Sequence, residues 1–299
     1  MRPIQYIRRE CQIHKLKRQI VAEVKKSFDG TTLLRGVAPK IEEITGFSAV
    51  DKVDRVRVIG RIPGYDLFLH LQCRLSNFTT PTTVGRHFFR KYLYLPLERL
   101  TLDRIIKYNL LNSDPRTLST HIEAMKSLAR RIAVHEFVHM VDDRSRSLMA
   151  MTDMDQETRA RVFRKIKEGN FDEEVVRSVD ISTGRLVLSE MVAIGTTALV
   201  LMESYSADLS QTELAYRTRV AKDVISLATS IDLISKLEEY RNFAIEHRHA
   251  LATRFLHHIS FFGRNTIKTI LERTPLFTEI LNPDLYFVHF TFHETRESD

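Results

Sequence analysis

The pattern of apolar and polar positions divides the chain into three parts. Over residues 4–28, apolar side chains recur at roughly helical spacing with charges between them, and Asp29-Gly30 marks the end of this segment. Residues 31–100 favour strands, because short apolar runs there are bounded by loops and turns. From residue 101 almost to the end the pattern is helical. The whole pattern therefore predicts an α+β fold, in which a small, mostly antiparallel sheet precedes a helical half.

Three to five short strands are expected in the strand-rich part. Apolar residues at 53–59 precede a turn rich in Gly and Pro, and residues 65–75 alternate after it. A further strand is expected at 88–97, after a Thr-rich loop. The tail at 285–293 alternates aromatic and polar residues, which predicts a final strand.

The helical half contains one clear helix start and one strongly apolar helix. Asp114-Pro115 predicts a start, with Asp as the N-cap and Pro at the first helical position, and an apolar stripe follows over 118–132. Gly184 precedes the apolar helix, which is expected at about 185–204. The remaining predicted helices lie at 155–168, 171–178, 211–240, 242–259 and 263–273.

Composition indicates a soluble globular protein, since 43% of the 299 residues are apolar and 28% are charged. Cys11 and Cys73 lie far apart, which excludes a disulfide framework and a thiolate metal site. The most apolar run, Leu186–Met202, contains Glu190 and falls short of the roughly 20 residues that span a bilayer. No secretory signal is visible. We therefore expect a protein without a membrane span, located in the cytoplasm or in a particle assembled inside the cell.

The positive charge is concentrated at the N-terminus. The chain has a net charge of +7, and residues 1–26 contain eight Lys or Arg against two Glu. Residues 1–30 are therefore predicted to form a basic helix or arm that docks on an acidic partner surface such as nucleic acid, lipid or protein. The alternative is a solvated helix face. No zinc-finger, Gly-rich or aromatic–basic signature supports nucleic-acid binding in particular.

The string His-Glu-Phe-Val-His at 135–139 falls inside a predicted helix. Residues four apart on a helix share one face, so His135 and His139 can both reach a single Zn²⁺. Glu136 leaves the helix beside that face, where it can take a proton from a water molecule whose pKa zinc lowers. The motif predicts a zinc site with Glu136 as general base. The alternative is a pair of surface or core histidines.

A catalytic zinc ion usually has a third protein ligand. The extended motif with a downstream Gly and a third His is excluded, because Asp142 and Ser145 occupy those places. Glu190 is the best candidate, since a lone carboxylate in an apolar helix is costly unless it is paired or metal-bound. The competing interpretation is a salt bridge to a residue such as Arg185. Asp142 or Asp143 is expected either to orient a histidine or to form surface ion pairs.

Two segments resemble the anthrax lethal factor type of metallopeptidase. The string His135-Glu-Phe-Val-His-Met-Val-Asp-Asp143 is similar to the zinc helix of that family. The string Ser182-Thr-Gly-Arg-Leu-Val-Leu-Ser-Glu190 is similar to its Ser-Tyr-Gly-Arg stretch, which leads at the same spacing to a Glu that binds zinc. The resemblance implies a zincin-like domain over 31–299, a gluzincin hydrolysing peptide bonds. It further implies His135, His139 and Glu190 as zinc ligands and Glu136 as the base.

One position departs from that family. Thr183 stands where the family has the Tyr that steadies the oxyanion or protonates the leaving group, and Thr183 and Arg185 are expected near the metal. Threonine is shorter and a poorer acid. A second hypothesis is therefore a zincin-fold structural or interaction protein with weak or no activity, for example a component of a phage particle or another large assembly.

Overall fold

The computed structural model describes residues 3–62, 86–88, 91–142, 156–170, 172–201, 252, 265–273, 276 and 279. Over these residues the chain is mostly helical with one small sheet. The helices are α1 (Pro3–Ser27), α2 (Gly30–Thr45), α3 (Val50–Val53), α4 (Leu97–Lys107), α5 (Pro115–Val141), α6 (Gln156–Lys167), α7 (Glu173–Leu201) and α8 (Asn265–Glu272). The strands are β1 (Arg57–Ile59), β2 (Arg86–Phe88) and β3 (Tyr92–Tyr94), and a 3-10 turn lies at Leu110–Asn112.

The chain divides into two compact units. The first unit comprises Met1–Pro39 and Ser48–Val141, and the second comprises Lys40–Phe47 and Asp142–Asp299. The sheet belongs to the first unit and the helices α6 to α8 belong to the second.

The described sheet is mixed, whereas a mostly antiparallel sheet was expected. β3 lies in the centre, parallel to β1 and antiparallel to β2. Leu93 and Tyr94 of β3 are fully buried, so the central strand is part of the core of the first unit. The strands predicted at 65–75 and 285–293 lie outside the described residues.

The prediction of strands from residue 31 onward is wrong for α2 and α3. The apolar residues of α2 recur every three or four positions and are buried, which is the helical period. They are Leu34, Val37, Ala38, Ile41 and Ile44. Asp29 caps the helix, because its carboxylate accepts a hydrogen bond from the Thr31 backbone N–H at 3.0 Å. Of the apolar cluster predicted as a strand at 53–59, only Arg57–Ile59 forms β1, while Val53 is the last residue of α3.

Two glycines fix the ends of α2. A Cβ at Gly30 would lie 2.7 Å from Cγ2 of Val58, so only glycine lets the start of α2 approach β1 this closely. Gly46 follows the helix with φ of 72°, the left-handed conformation that commonly ends helices, and its N–H donates to the Glu42 carbonyl.

The single strand predicted at 88–97 is also wrong. β2 ends at Phe88, β3 occupies only 92–94, and α4 begins at Leu97. The aromatic and apolar run is interrupted by Arg90-Lys91, and Lys91 lies in the turn between β2 and β3, so this pair of charges is the local sign of the turn.

The predicted N-terminal helix is confirmed, and it is a packed element rather than a separate arm. Ile13, Ile20 and Val24 are buried where α1 contacts α4 and α5. Lys17 joins α1 to the start of α4 through an ion pair with Glu98 at 3.1 Å. The helix therefore contributes to the core of the first unit.

The helix start at Asp114-Pro115 is confirmed. One carboxylate oxygen of Asp114 accepts the backbone N–H groups of Arg116 and Thr117 at 2.9 and 3.0 Å, and the other accepts the Thr117 hydroxyl. The apolar side of the helix is buried, including Met125, Ala129, Ile132, Ala133 and Phe137. This packing fixes the rotation of α5 and therefore the direction in which its histidines point.

In the second unit, α7 is one continuous helix, whereas separate helices are predicted at 171–178 and at about 185–204, the second one preceded by Gly184. Gly184 is itself buried, and a glycine inside a helix costs only about 1 kcal/mol, which packing readily offsets. Helices predicted at 155–168 and 263–273 are confirmed as α6 and α8, and α8 packs against α7. The helix predicted at 211–240 lies outside the described residues, and of the one predicted at 242–259 only Ala252 is described, which is helical and buried.

Ion pairs join α6 to the first turn of α7. Arg161 donates two hydrogen bonds to Glu174, and Lys165 bonds both Glu174 and Asp172. None of the helices in the described part of the chain combines the length and apolar character that crossing a bilayer would need.

Candidate metal centre

The two histidines of the His-Glu-Phe-Val-His string lie side by side on the last turns of α5. Their Nε2 atoms are 3.1 Å apart, and the rings meet edge to face at 86° with centroids 4.6 Å apart. Both residues are half-buried, whereas Phe137 and Val138 between them are fully buried. The apolar pair thus anchors the helix and leaves both imidazoles on its accessible side, as the four-residue spacing predicts.

Glu190 lies near these two rings. It is on α7, it is 7% exposed, and it is 51 residues beyond His139 in the chain. One ligand atom from each of His135, His139 and Glu190 lies within 4.8 Å of the other two. The three residues therefore form a group that could hold a metal ion.

The donor set fits zinc. Two imidazole nitrogens and one carboxylate are the protein ligands of one class of catalytic zinc site, which keeps its fourth position for water or substrate. Ligand atoms arranged tetrahedrally at about 2.0–2.2 Å from an ion lie roughly 3.3–3.6 Å from one another. The two Nε2 atoms are 3.1 Å apart, slightly closer than this spacing, and the three ligand atoms lie within 4.8 Å of one another, slightly farther than it. Small side-chain rotations would bring the three atoms onto one ion.

The chain matches no protein-family model, no curated protein and no solved structure. The support for a metal site therefore comes from the residues themselves, that is, from the motif on α5 and the proximity of Glu190 to it.

Of the other predicted site residues, only Glu136 and Asp142 have side chains that the structure describes. Glu136 lies next to His135 on α5 and is half-buried, and Asp142 directly follows the helix and is 3% exposed. Asp143 lies outside the described residues. Thr183 and Arg185 are positions on α7 whose side chains are not described. The sequence-based roles of these four residues and of Glu136 stay predictions.

Lys52 is a residue near the site that the sequence did not indicate. Its ammonium group, on α3, donates a hydrogen bond of 3.2 Å to the backbone carbonyl of Val141, the last residue of α5. A cation at this end satisfies a carbonyl that has no partner within the helix and favours the negative end of the helix dipole. The bond holds the helix terminus two residues beyond His139. The partners are 89 residues apart, and no local pattern marks either of them.

Proposed function

We propose that this chain is a zinc-dependent peptidase whose metal is held by His135, His139 and Glu190. The observation that carries the proposal is the convergence of a buried carboxylate on the two imidazoles of a His-Glu-x-x-His helix. A chance occurrence of the motif would not bring a third residue of the right chemistry to it from 51 residues away.

The chemistry divides between the metal and the chain. A zinc ion bound there would lower the pKa of a coordinated water toward about 7 and polarise a peptide carbonyl. Glu136 is the general base, because its position next to His135 places it beside the ligand face rather than on it. Its carboxylate takes the proton from the attacking water and delivers it to the leaving amine, so that the same group serves as base and then as acid.

A second function, a zincin-like structural or interaction protein, is favoured by one observation. Thr183 lies seven residues before Glu190 on α7, so the two positions share one side of the helix about two turns apart. The corresponding tyrosine of lethal factor-type peptidases supplies an acidic hydroxyl there, and a threonine hydroxyl is a much weaker acid. In this second function the metal group would stabilise the fold and the chain would act through its surface.

The experiment compares the wild-type chain with Glu136→Gln. We expect about one zinc ion per chain in both proteins by elemental analysis, since glutamine is nearly isosteric and Glu136 is not a ligand. Hydrolysis of a broad peptide library should fall by about 10²–10⁴-fold in the variant, because an amide cannot take the water proton. The matched control is Glu123→Gln, an exposed position on the same helix, which should keep full activity.

The results separate the two functions. Absence of zinc after reconstitution would contradict the metal centre itself. If zinc is bound but neither the wild type nor Glu136→Gln hydrolyses any peptide of the library, the peptidase function is contradicted and the structural function replaces it.

A further inference from the structure

The two compact units carry opposite charge. Counted over their boundaries, the first unit contains 24 Lys and Arg against 11 Asp and Glu, a net charge of +13. The second unit contains 21 against 27, a net charge of −6. The net charge of +7 for the whole chain is therefore the sum of a strongly basic unit and an acidic one. Such a segregated field attracts polyanions and steers their encounter with the basic unit.

Within the first unit, the side of α1 that faces away from the core is basic. Arg8, Lys15 and Arg18 are exposed and fall within a sector of about 80° on the helix, opposite the buried Ile13, Ile20 and Val24. Lys25 continues this side, about 26 Å from Arg8 along the helix axis. We call these four residues the basic face of α1.

The charges of the basic face are available for a partner. Ion pairs on α1 involve other residues, namely Lys17 with Glu98 and Lys26 with Glu23. Across the described residues, none of the four side chains of the basic face takes part in an ion pair at contact distance. Lys25 lies close enough to Glu98 to help lower the pKa of that carboxyl, so the charges available to a partner are chiefly those of Arg8, Lys15 and Arg18.

The structure also restricts which polyanion fits. Attachment of an amphipathic helix to a bilayer requires an apolar face that enters the lipid. The apolar face of α1 is already buried against α4 and α5, and among the large apolar side chains of α1 whose burial is described, Tyr6 and Ile7 are the exposed ones, at 58% and 60%. Single-stranded nucleic acid is usually held by a series of aromatic side chains that stack on the bases, and the basic face has none.

We propose that the basic face of α1 is a docking surface for the phosphate backbone of double-stranded nucleic acid. Lysine and arginine side chains spread along one side of a helix neutralise successive phosphates and release their counterions, which supplies affinity without reading sequence. This function is independent of the metal centre, because none of its residues belongs to the zinc site.

The test measures binding of the full-length chain to a mixed-sequence DNA duplex of about 30 base pairs by fluorescence anisotropy, across a salt series. We expect a dissociation constant of about 10⁻⁴–10⁻⁶ M near physiological salt that weakens steeply as salt increases. The triple variant Arg8→Gln, Lys15→Gln, Arg18→Gln should bind at least about tenfold more weakly at 0.1 M salt. Its log–log salt slope should be smaller by about one for each phosphate that the variant no longer neutralises.

The matched control removes three exposed basic side chains from the second unit, Arg164→Gln, Arg177→Gln and Lys268→Gln, and should keep the wild-type affinity. Circular dichroism should show equal melting midpoints for both variants, since all six residues are exposed. The proposal is overturned if the wild-type chain does not bind the duplex, or if both triple variants lose affinity equally. It is equally overturned if the chain binds vesicles rich in phosphatidylserine, or poly-glutamate, more tightly than the duplex.

Discussion

Glu190 is a charged residue among neighbours that are almost all apolar. Val187, Leu188, Met191 and Val192 around it on α7 are buried, and its own side chain is 7% exposed. Removing a carboxylate from water costs several kcal/mol unless an opposite charge or a metal compensates. Two half-buried imidazoles stand within reach of it, and a metal ion shared with them would supply that compensation.

Replacement of Glu190 by glutamine tests its part in metal binding. If Glu190 is the third ligand, Glu190→Gln should weaken zinc affinity by at least about 100-fold, since even the loss of groups that only orient ligands commonly costs 10–100-fold. Zinc affinity measured by competition with a chromophoric chelator gives the answer. Glu173→Gln, an exposed position in the first turn of the same helix, is the matched control and should bind zinc as the wild type does. Equal affinities in the two variants would show that Glu190 is not a ligand.

At this scale, sequence reasoning succeeds where one helix contains all the partners. The spacing of His135 and His139 determines their relation on α5, so their proximity could be predicted without any tertiary information. Glu190 could be inferred only because a lone charge in an apolar stretch needs an explanation. Lys52 could not be inferred, because its contact with Val141 depends on how α3 packs against the end of α5.

At the scale of elements, α1 illustrates how a charged helix can be misjudged. Its surplus of basic residues suggests an arm that projects into solvent, yet its other side carries apolar residues that α4 and α5 bury. The same helix can hold both properties, because a buried stripe occupies only about a third of its circumference. Its C-terminal half is thus part of the fold, while its basic face remains accessible.

Truncation of single apolar side chains on α1 tests this arrangement. Ile20 is 1% exposed, so Ile20→Ala should lower the unfolding free energy by about 2–5 kcal/mol through reduced burial and the cavity left behind. Ile7 is 60% exposed, and Ile7→Ala should change it by less than about 0.5 kcal/mol. Urea denaturation of the two variants and the wild type measures both values. A change below about 0.5 kcal/mol in both variants would mean that α1 is a detachable arm after all.

Element boundaries were predictable where a side chain satisfies the free backbone groups of a helix. Asp114 does so at the start of α5, and the pair Asp114-Pro115 is a local signal. Asp29 does the same for α2, but the pair Asp29-Gly30 is also typical of a simple helix end, so it does not by itself indicate a second helix. The pattern predicts two helices on either side of Gly184 because glycine locally disfavours a helix, whereas burial along α7 overrides this preference.

At the scale of the whole molecule, several ionisable groups link stability to pH. Hydrogen bonds lower the pKa of a set of carboxyl groups, chiefly a bond from Lys17 to Glu98, from Thr117 to Asp114, from Lys165 to Asp172 and from Arg161 to Glu174. Each of these groups stabilises the fold above its unfolded pKa, and this stabilisation is lost as the pH falls through the folded value. Burial raises the pKa of Asp103, so this one carboxyl makes the fold more stable as the pH falls, against the four groups that make it less stable.

His121 extends this dependence toward neutral pH. Burial, and then the nearby charge of Arg104, lower the pKa of its imidazole below the ordinary value of 6.5. The Arg104 guanidinium donates a hydrogen bond of 3.1 Å to Nδ1 of His121, and the Tyr108 ring lies against the imidazole. Lys107, which lies over the same Tyr108 ring, adds a further positive charge to this neighbourhood. Burial and the charge of Arg104 favour the neutral ring. As the pH falls below 6.5 the unfolded chain takes up this proton before the folded chain does, so stability must decrease.

The unfolding free energy of the metal-free protein should therefore be highest near neutral pH and fall continuously on acidification. Zinc is removed with a chelator so that loss of the metal on acidification does not contribute, and the residues of the metal centre are the same in all three proteins. His121→Gln should flatten the decrease between about pH 6.5 and 5, because the amide oxygen can still accept the bond from Arg104 but carries no titrating proton. His14→Gln, an exposed histidine on α1, is the matched control and should follow the wild type. Denaturant unfolding at a series of pH values measures all three proteins. An unfolding free energy that rises from pH 7 to 5, or identical slopes in the two variants, would show that the Arg104–His121 contact does not link protonation to folding.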